Sequence, residues 1–301
     1  MRPAATVLRT FHHGEFDVAA LVEAKGAERV SVCLPARDEA ATVGEIVARI
    51  GDDLVTAGLV DEVLVVDDHS EDATATVARE AGARVVRAAD VLAGFGEGHG
   101  KGEALWKSLY EAEGDLIVWC DADLVDFQPS FVVGLLGPLL RRPDIGFVKG
   151  FYDRPSSEPG DRGGRVTELV ARPILSLLFP HLTAMVQPLA GEYAGRRALL
   201  EQLPFVEGYG VDLALVIDVA ARFGTEAIAQ VDLGVRHHRN RPLDELSPQA
   251  AAILQIALRR AGSTVGIEPA TLVRPTLDPV PIDPAERPPL VSVAAYRRRS
   301  A

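Results

Sequence analysis

Three short, largely apolar runs at 30–34, 62–66 and 116–120 each end abruptly in charged side chains, and this repeat constrains the fold more than any other feature of the chain. Val43, Ile46, Val47 and Ile50 recur at helical intervals within 40–50, and 73–81 reads as a second helix. Residues 84–86 read as a short strand, and a glycine-rich loop over 94–102 leads into a helix over 103–113. Strand and helix alternating in this rhythm imply right-handed crossovers and an α/β fold with a mostly parallel, Rossmann-like sheet flanked by helices. Ligands of such sheets sit beyond the carboxyl ends of the strands. Three polar strand ends, Arg37-Asp38-Glu39, Asp67-Asp68-His69 and Asp121-Ala122-Asp123, are therefore expected to converge on one crevice.

The last of these tips carries two carboxylates two residues apart, a hard oxygen site suited to Mg²⁺ or Mn²⁺. Magnesium is commonly held by one or two protein carboxylates together with substrate phosphates, so D-x-D reads as a grip on a nucleotide diphosphate through a metal. A polar strand end with two solvated aspartates is the plainer alternative. The segment GHGKG at 98–102 fails as a P-loop: Lys101 is followed by Gly102 rather than Ser or Thr, and Phe95 stands where the first glycine belongs. It leaves one lysine beside a helix N-terminus, either a phosphate contact or a solvated loop side chain.

A formal net charge of −12 argues against a nucleic-acid surface, which needs a basic face. The two cysteines, Cys33 and Cys120, each lie in an apolar run and read as buried thiols of a reduced, cytoplasmic protein. No signal peptide is recognised, and the long apolar segment 169–190 is broken by Arg172, Pro173, Pro180, His181 and Pro188, so no membrane span is expected.

The second half differs in texture. Residues 147–152 read as a strand, 153–164 as a loop rich in Pro, Gly, Ser and Asp, and Gly163-Gly164-Arg165-Val166-Thr167 as the opening of a helix over 168–171 that Pro173 continues or kinks. That start is either an anion nest or ordinary capping. A glycine-rich turn at 207–212 enters a helix over 211–223, where Asp212 either meets a substrate hydroxyl or favours the helix dipole. Residues 228–238 read as a strand whose alternation puts Arg236 and His238 on the same face, a cation beside a metal-ligand candidate. Residues 247–260 form a plausible helix. Seven prolines between 269 and 289 suggest an extended arm that wraps its own domain or a partner.

Assembled in order, LPARDEAATV, VVDDHS, GHGKGEALW, DADL, GGRVTELVARP, PLAGEYAGRR, GYGVD and GVRHHRNRPL make the chain, from about residue 30 to 260, resemble the actinobacterial glucosyl-3-phosphoglycerate synthases. These are retaining glycosyltransferases of the GT-A fold, in a family that includes mannosyl-3-phosphoglycerate synthases. The resemblance implies a lead-in over 1–29, a nucleotide-sugar half over 30–150, an acceptor half over 151–260 and a C-terminal arm over 261–301. It implies that Pro35, Ala36, Glu39, Asp68 and Lys101 line a uridine diphosphate pocket, and that Asp121 and Ala122 touch the nucleotide sugar. Asp123 and His238 would hold Mg²⁺ or Mn²⁺. Gly164, Arg165, Thr167 and Asn240 would receive 3-phosphoglycerate, and Leu189, Tyr209 and Arg236 would complete the donor site. Lys101, Leu189, Asp212 and Arg236 would carry the catalytic roles.

Two residues depart from the family pattern: Ala122 replaces a serine, and Asp212 replaces a glutamate that helps choose the hexose. UDP-glucose is the expected donor, with GDP-mannose its rival, and a homodimer is implied by the same likeness. A nucleotidyltransferase would favour a basic glycine-rich loop after the first strand, where this chain has Pro35-Ala36-Arg37-Asp38. A binding module that has lost catalysis is disfavoured by the joint presence of Asp121, Asp123, Lys101, Arg236 and His238.

Overall fold

The computed structural model describes residues 7–153, 164–236, 242–263, 268–275, 277–283 and 285–299. In chain order the elements are β1 (Arg9–His12), α1 (Val18–Lys25), β2 (Val30–Ala36), α2 (Val43–Ile50), β3 (Glu62–Asp67), α3 (Thr74–Glu80), β4 (Arg84–Arg87), α4 (Lys101–Glu111), β5 (Leu116–Trp119), α5 (Pro129–Arg141) and β6 (Phe147–Asp153). There follow α6 (Arg172–Leu178), β7 (Tyr193–Arg196), α7 (Arg197–Leu200), β8 (Phe205–Val206), α8 (Val211–Phe223), β9 (Ile228–Val235), α9 (Leu243–Arg260), β10 (Ala270–Arg274), β11 (Leu277–Ile282), β12 (Glu286–Arg287) and α10 (Ala294–Arg299).

Eight strands form the central sheet in the order β1-β9-β6-β7-β5-β2-β3-β4. All neighbours pair in parallel except β7, which runs antiparallel between β5 and β6. The central strands β2, β3 and β5 are largely apolar because both faces are covered, as parallel sheets require. Val32, Leu34 and Val118 face the layer of α1, α2 and α5, while Cys33, Ile117 and Trp119 face that of α4, α6 and α8. Val43, Ile46, Val47 and Ile50 are all buried, as their spacing implied. Both cysteines are buried and unpaired, and no described helix is long and apolar enough to cross a membrane.

The glycine-rich loop stops sooner than expected. Gly100, at φ 86, caps α4, and Lys101 is its first residue. A side chain at Gly102 would meet the Val206 carbonyl at 1.7 Å, so glycine there lets α4 press against β8. The helix read over 168–171 extends as a π turn over Thr167–Ala171 into α6, with Pro173 near the junction of the two. The strand read over 228–238 ends at Val235 among the described residues. Gly234, at φ 87, sits at a bulge against β6 that reverses the alternation, leaving Val235 exposed and Arg236 buried. The loop at 153–164 falls almost wholly outside the described residues.

The proline-rich segment folds back onto the domain. β10 and β11 form a hairpin, β12 pairs with β8, and Trp106 Nε1 donates to the Pro288 carbonyl at 2.9 Å.

Candidate active site

Register alone brings the strand tips together: Ala36 lies opposite Asp67, and Cys33 opposite Trp119. The loops beyond the tips are then stapled to one another. The Asp38 N–H donates to Ser70 Oγ at 3.0 Å, the Glu71 N–H to Asp38 Oδ1 at 2.8 Å, and the Thr42 hydroxyl to the Ala122 carbonyl at 2.6 Å. A cleft of about 520 Å³ opens over these tips.

At one end of the cleft lie Pro35, Ala36 and Glu39, with the Asp68 carboxylate, which accepts the Gly100 N–H at 2.8 Å. Asp121, Ala122 and Asp123 form its floor beside Lys101. Gly164, Arg165 and Thr167 line it from the start of the π turn, joined by Leu189, Tyr209, Asp212 and Arg236. Every described residue that the resemblance assigns to the site thus borders one cavity, whereas Asp38, Asp67 and His69 of the strand tips do not line it. His238 and Asn240 lie outside the described residues.

Charges interlock at the floor. Lys101 Nζ sits 2.8 Å from Asp121 and 3.4 Å from Asp212. Burial alone would lower the Lys101 pKa, but Asp121 and Asp212 outweigh it and hold the ammonium well above its ordinary value. Burial would likewise raise Asp121, yet Lys101 and then Arg236 keep its carboxyl below the usual range. Arg236 bonds Glu192 at 2.8 Å and the Tyr152 hydroxyl at 2.6 Å, and reaches Asp123 at 3.2 Å and Asp121 at 3.6 Å. Lys149, fully buried, lies 3.9 Å from Asp212 and 4.0 Å above the Tyr193 ring. Burial pushes its pKa down to about 8, Asp212 resisting and Lys101 assisting.

Among the described residues, the carboxylates Asp121, Asp123, Glu192 and Asp212 meet the cations Lys101, Lys149 and Arg236. Asp123 is the most exposed of these acids, at 42 %, and Arg236 approaches it on one side. A hard, solvent-reaching carboxylate in a cluster richer in acids than bases fits a divalent cation with most of its coordination left to ligand oxygens.

Sequence reasoning passed over Glu192, although an acid isolated within PLAGEYAGRR was a signal. It is fully buried, and burial raises its pKa despite the opposing pull of Arg236. A side chain at Gly191 would collide with the Asp121 carboxylate at 2.0 Å, so this loop is glycine where it crosses the acidic tip. Also missed were Leu246, Gln249 and Ile253, which line the cleft from α9. Their helical spacing marks one face of α9, but nothing in the sequence says that this face looks into a site.

A Rossmann-like sheet with a charged cleft over its carboxyl ends defines an α/β protein whose ligand site lies beyond its strand tips. The profile of glycosyl transferase family 2 matches residues 31–202, and the chain belongs to that family. The chain is 43% identical over 311 residues to glucosyl-3-phosphoglycerate synthase of Petrotoga mobilis, covering 97% of this chain and 96% of that protein. It is similar, at TM-score 0.87 and 43% identity, to the Mycobacterium tuberculosis glucosyl-3-phosphoglycerate synthase solved with Mn²⁺, UDP-glucose and phosphoglyceric acid, covering 95% of this chain and 99% of that one. The mannosyl-3-phosphoglycerate synthase of Rubrobacter xylanophilus superposes with TM-score 0.86 at 38% identity, covering 95% of this chain and 97% of that one.

Proposed function

We propose that the protein transfers glucose from UDP-glucose to the 2-hydroxyl of 3-phosphoglycerate, with retention at the anomeric carbon and dependence on Mg²⁺ or Mn²⁺. The observation that carries this reading is the Lys101–Asp121–Arg236–Asp123 array in a single cleft, in a chain that matches glucosyl-3-phosphoglycerate synthases over nearly its whole length.

In this reading Pro35, Ala36, Glu39 and Asp68 receive the uridine end of the donor, and Asp121 and Ala122 lie against its sugar-bearing part. A divalent cation at Asp123, with His238 as a second ligand, would neutralise the diphosphate as the anomeric bond breaks, a contribution typically worth several kcal/mol. Lys101 and Arg236 add fixed positive charge on the leaving group's side of the cleft. Gly164, Arg165, Thr167 and Asn240 clamp the anionic acceptor and orient its hydroxyl. Asp212 meets a sugar hydroxyl, and Leu189 and Tyr209 complete the donor wall. The bond from the anomeric carbon to the phosphate oxygen breaks, the acceptor oxygen bonds to the same face, and its proton passes to the departing phosphate. No covalent intermediate is part of this reading, so mass spectrometry of protein trapped during turnover should find no glycosylated Asp212.

The protein is read as a cytoplasmic homodimer, for which light scattering should give twice the mass of the chain. The likeness to the mannosyl enzyme makes GDP-mannose the rival donor. A donor panel with 3-phosphoglycerate and Mg²⁺, followed by product mass and anomeric configuration, tests the reading. An α-glucosylated phosphoglycerate from UDP-glucose is expected. A mannosylated product alone, or an inverted glucoside, would replace it.

A further inference from the structure

We propose that Asp68, His69 and His99 form a second cation site, selective for a borderline transition metal such as Zn²⁺, whose occupancy shuts the nucleoside end of the cleft. The closure rests on the reading of Asp68 as a donor contact; the metal site itself does not.

Two loops meet at Asp68, the turn after β3 and the glycine-rich loop before α4. His69 Nδ1 lies 2.8 Å from Asp68 Oδ1, and the His69 and His99 rings stand 4.5 Å apart between centroids. One ligand atom from each of the three residues falls within 4.8 Å of the others, and this is the one such His/Cys/Asp/Glu group among the described residues. Ligands about 2.0–2.1 Å from a tetrahedral zinc stand roughly 3.4 Å apart, so the group must contract by about an ångström or more. His99 can supply that movement: it is exposed and lies between Gly98 and Gly100, the latter at φ 86. His69 Nε2 is buried and finds no hydrogen-bond partner among the described residues, so turning the ring toward a cation breaks no bond at that nitrogen.

Ligand type separates this site from the acidic tip. Two imidazoles and one carboxylate suit Zn²⁺ or Co²⁺ and leave an open fourth position, whereas Mg²⁺ prefers an all-oxygen octahedron. The two sites therefore sort metals by softness within one cleft. Asp68 is buried and borders the cleft together with His99. Asp68 Oδ2 already accepts the Gly100 N–H, so a metal at Oδ1 leaves little of the carboxylate to accept from a nucleoside, and zinc and donor should compete. Zinc is then a brake on the enzyme, competitive with the sugar nucleotide and not relieved by Mg²⁺.

The test titrates Co²⁺ into the full chain with Mg²⁺ saturating, and follows the visible absorption that tetrahedral cobalt gives. One equivalent is expected to bind with a tetrahedral spectrum, and UDP-glucose should weaken it. His69→Asn, chosen because φ 62 at this position suits asparagine, and separately His99→Gln should each weaken cobalt binding about tenfold or more, by analogy with the loss of groups that merely support a metal ligand. His69→Asn should also lose inhibition by zinc, read as the ratio of its own rates with and without that metal. Unchanged cobalt affinity in both variants, or an octahedral spectrum, would overturn the site. Tetrahedral binding that UDP-glucose leaves untouched would overturn the closure and, with it, the donor role of Asp68.

Discussion

Arg236 divides its guanidinium among Glu192, Asp123 and Asp121, and the division matters for the cation proposed at Asp123. Glu192 holds the arginine from the buried side. Without that charge, Arg236 has only the two acids of the tip to pair with, and it would compete with a metal for them. Glu192→Gln should therefore raise the Mn²⁺ concentration for half-maximal activity by about tenfold, in the range that supporting groups around metal sites command. An unchanged requirement would show that Glu192 has no part in positioning Arg236. Lys149 offers a direct check on the electrostatics beneath Asp212. Burial disfavours its ammonium, so its proton is released earlier than in water, at about 8, against about 10.4 for an unperturbed lysine. Carbon-13 labelling at Cε should give a titration midpoint near 8. A midpoint near the unperturbed value would mean that the pocket is wetter than its packing implies.

Several elements were legible in the sequence because local pattern and global packing agree. β2, β3 and β5 are largely apolar runs followed by charged tips, and α8 follows a glycine turn over the bounds read from the sequence. Others were hidden for physical reasons. β1, with the sequence RTFH, is an edge strand of mixed polarity that exists only because β9 offers it a partner. β7 is four residues long with a glycine inside it, and its place between β5 and β6 is set by tertiary pairing. Gly234 breaks the alternation that was used to aim Arg236, yet the bulge turns that residue inward to the same cluster.

The C-terminal arm was legible as an arm but not by what it grips. Arg287 bonds Glu103 at 2.5 and 3.0 Å and the Phe95 carbonyl at 2.6 Å, and lies 3.3 Å from Glu207. It thereby ties the glycine-rich loop and the first turn of α4, which carries Lys101, to the turn that leads to Tyr209. Removing one partner of a buried pair costs about 3–5 kcal/mol, but Lys107 also pairs with Glu103 at 2.7 Å and offsets part of the loss. Arg287→Met should lower stability by about 2–3 kcal/mol and raise the KM for the sugar nucleotide more than that for the acceptor. Equal effects on both would reduce the arm to a general fastener.

Across the whole molecule, a chain of net charge −12 is proposed to bind two anionic substrates. It can do so because Lys101, Lys149 and Arg236 offset most of the acids at the cleft, and a divalent cation at the acidic tip would supply the remaining positive charge. The acids that hold these cations in place are the same ones that would repel the substrates if the metal were absent. Metal dependence is thus a consequence of the charge layout of the fold as well as of the chemistry of the leaving group.

The most direct measurement is the rate of UDP release with UDP-glucose and 3-phosphoglycerate, before and after chelation and on return of Mg²⁺, for the native chain and for Asp123→Ala with its fold verified by circular dichroism. The account expects release that needs the acceptor, vanishes on chelation, returns with metal in the native chain and stays absent in the folded variant. Full activity in chelated protein, or in Asp123→Ala, would contradict it.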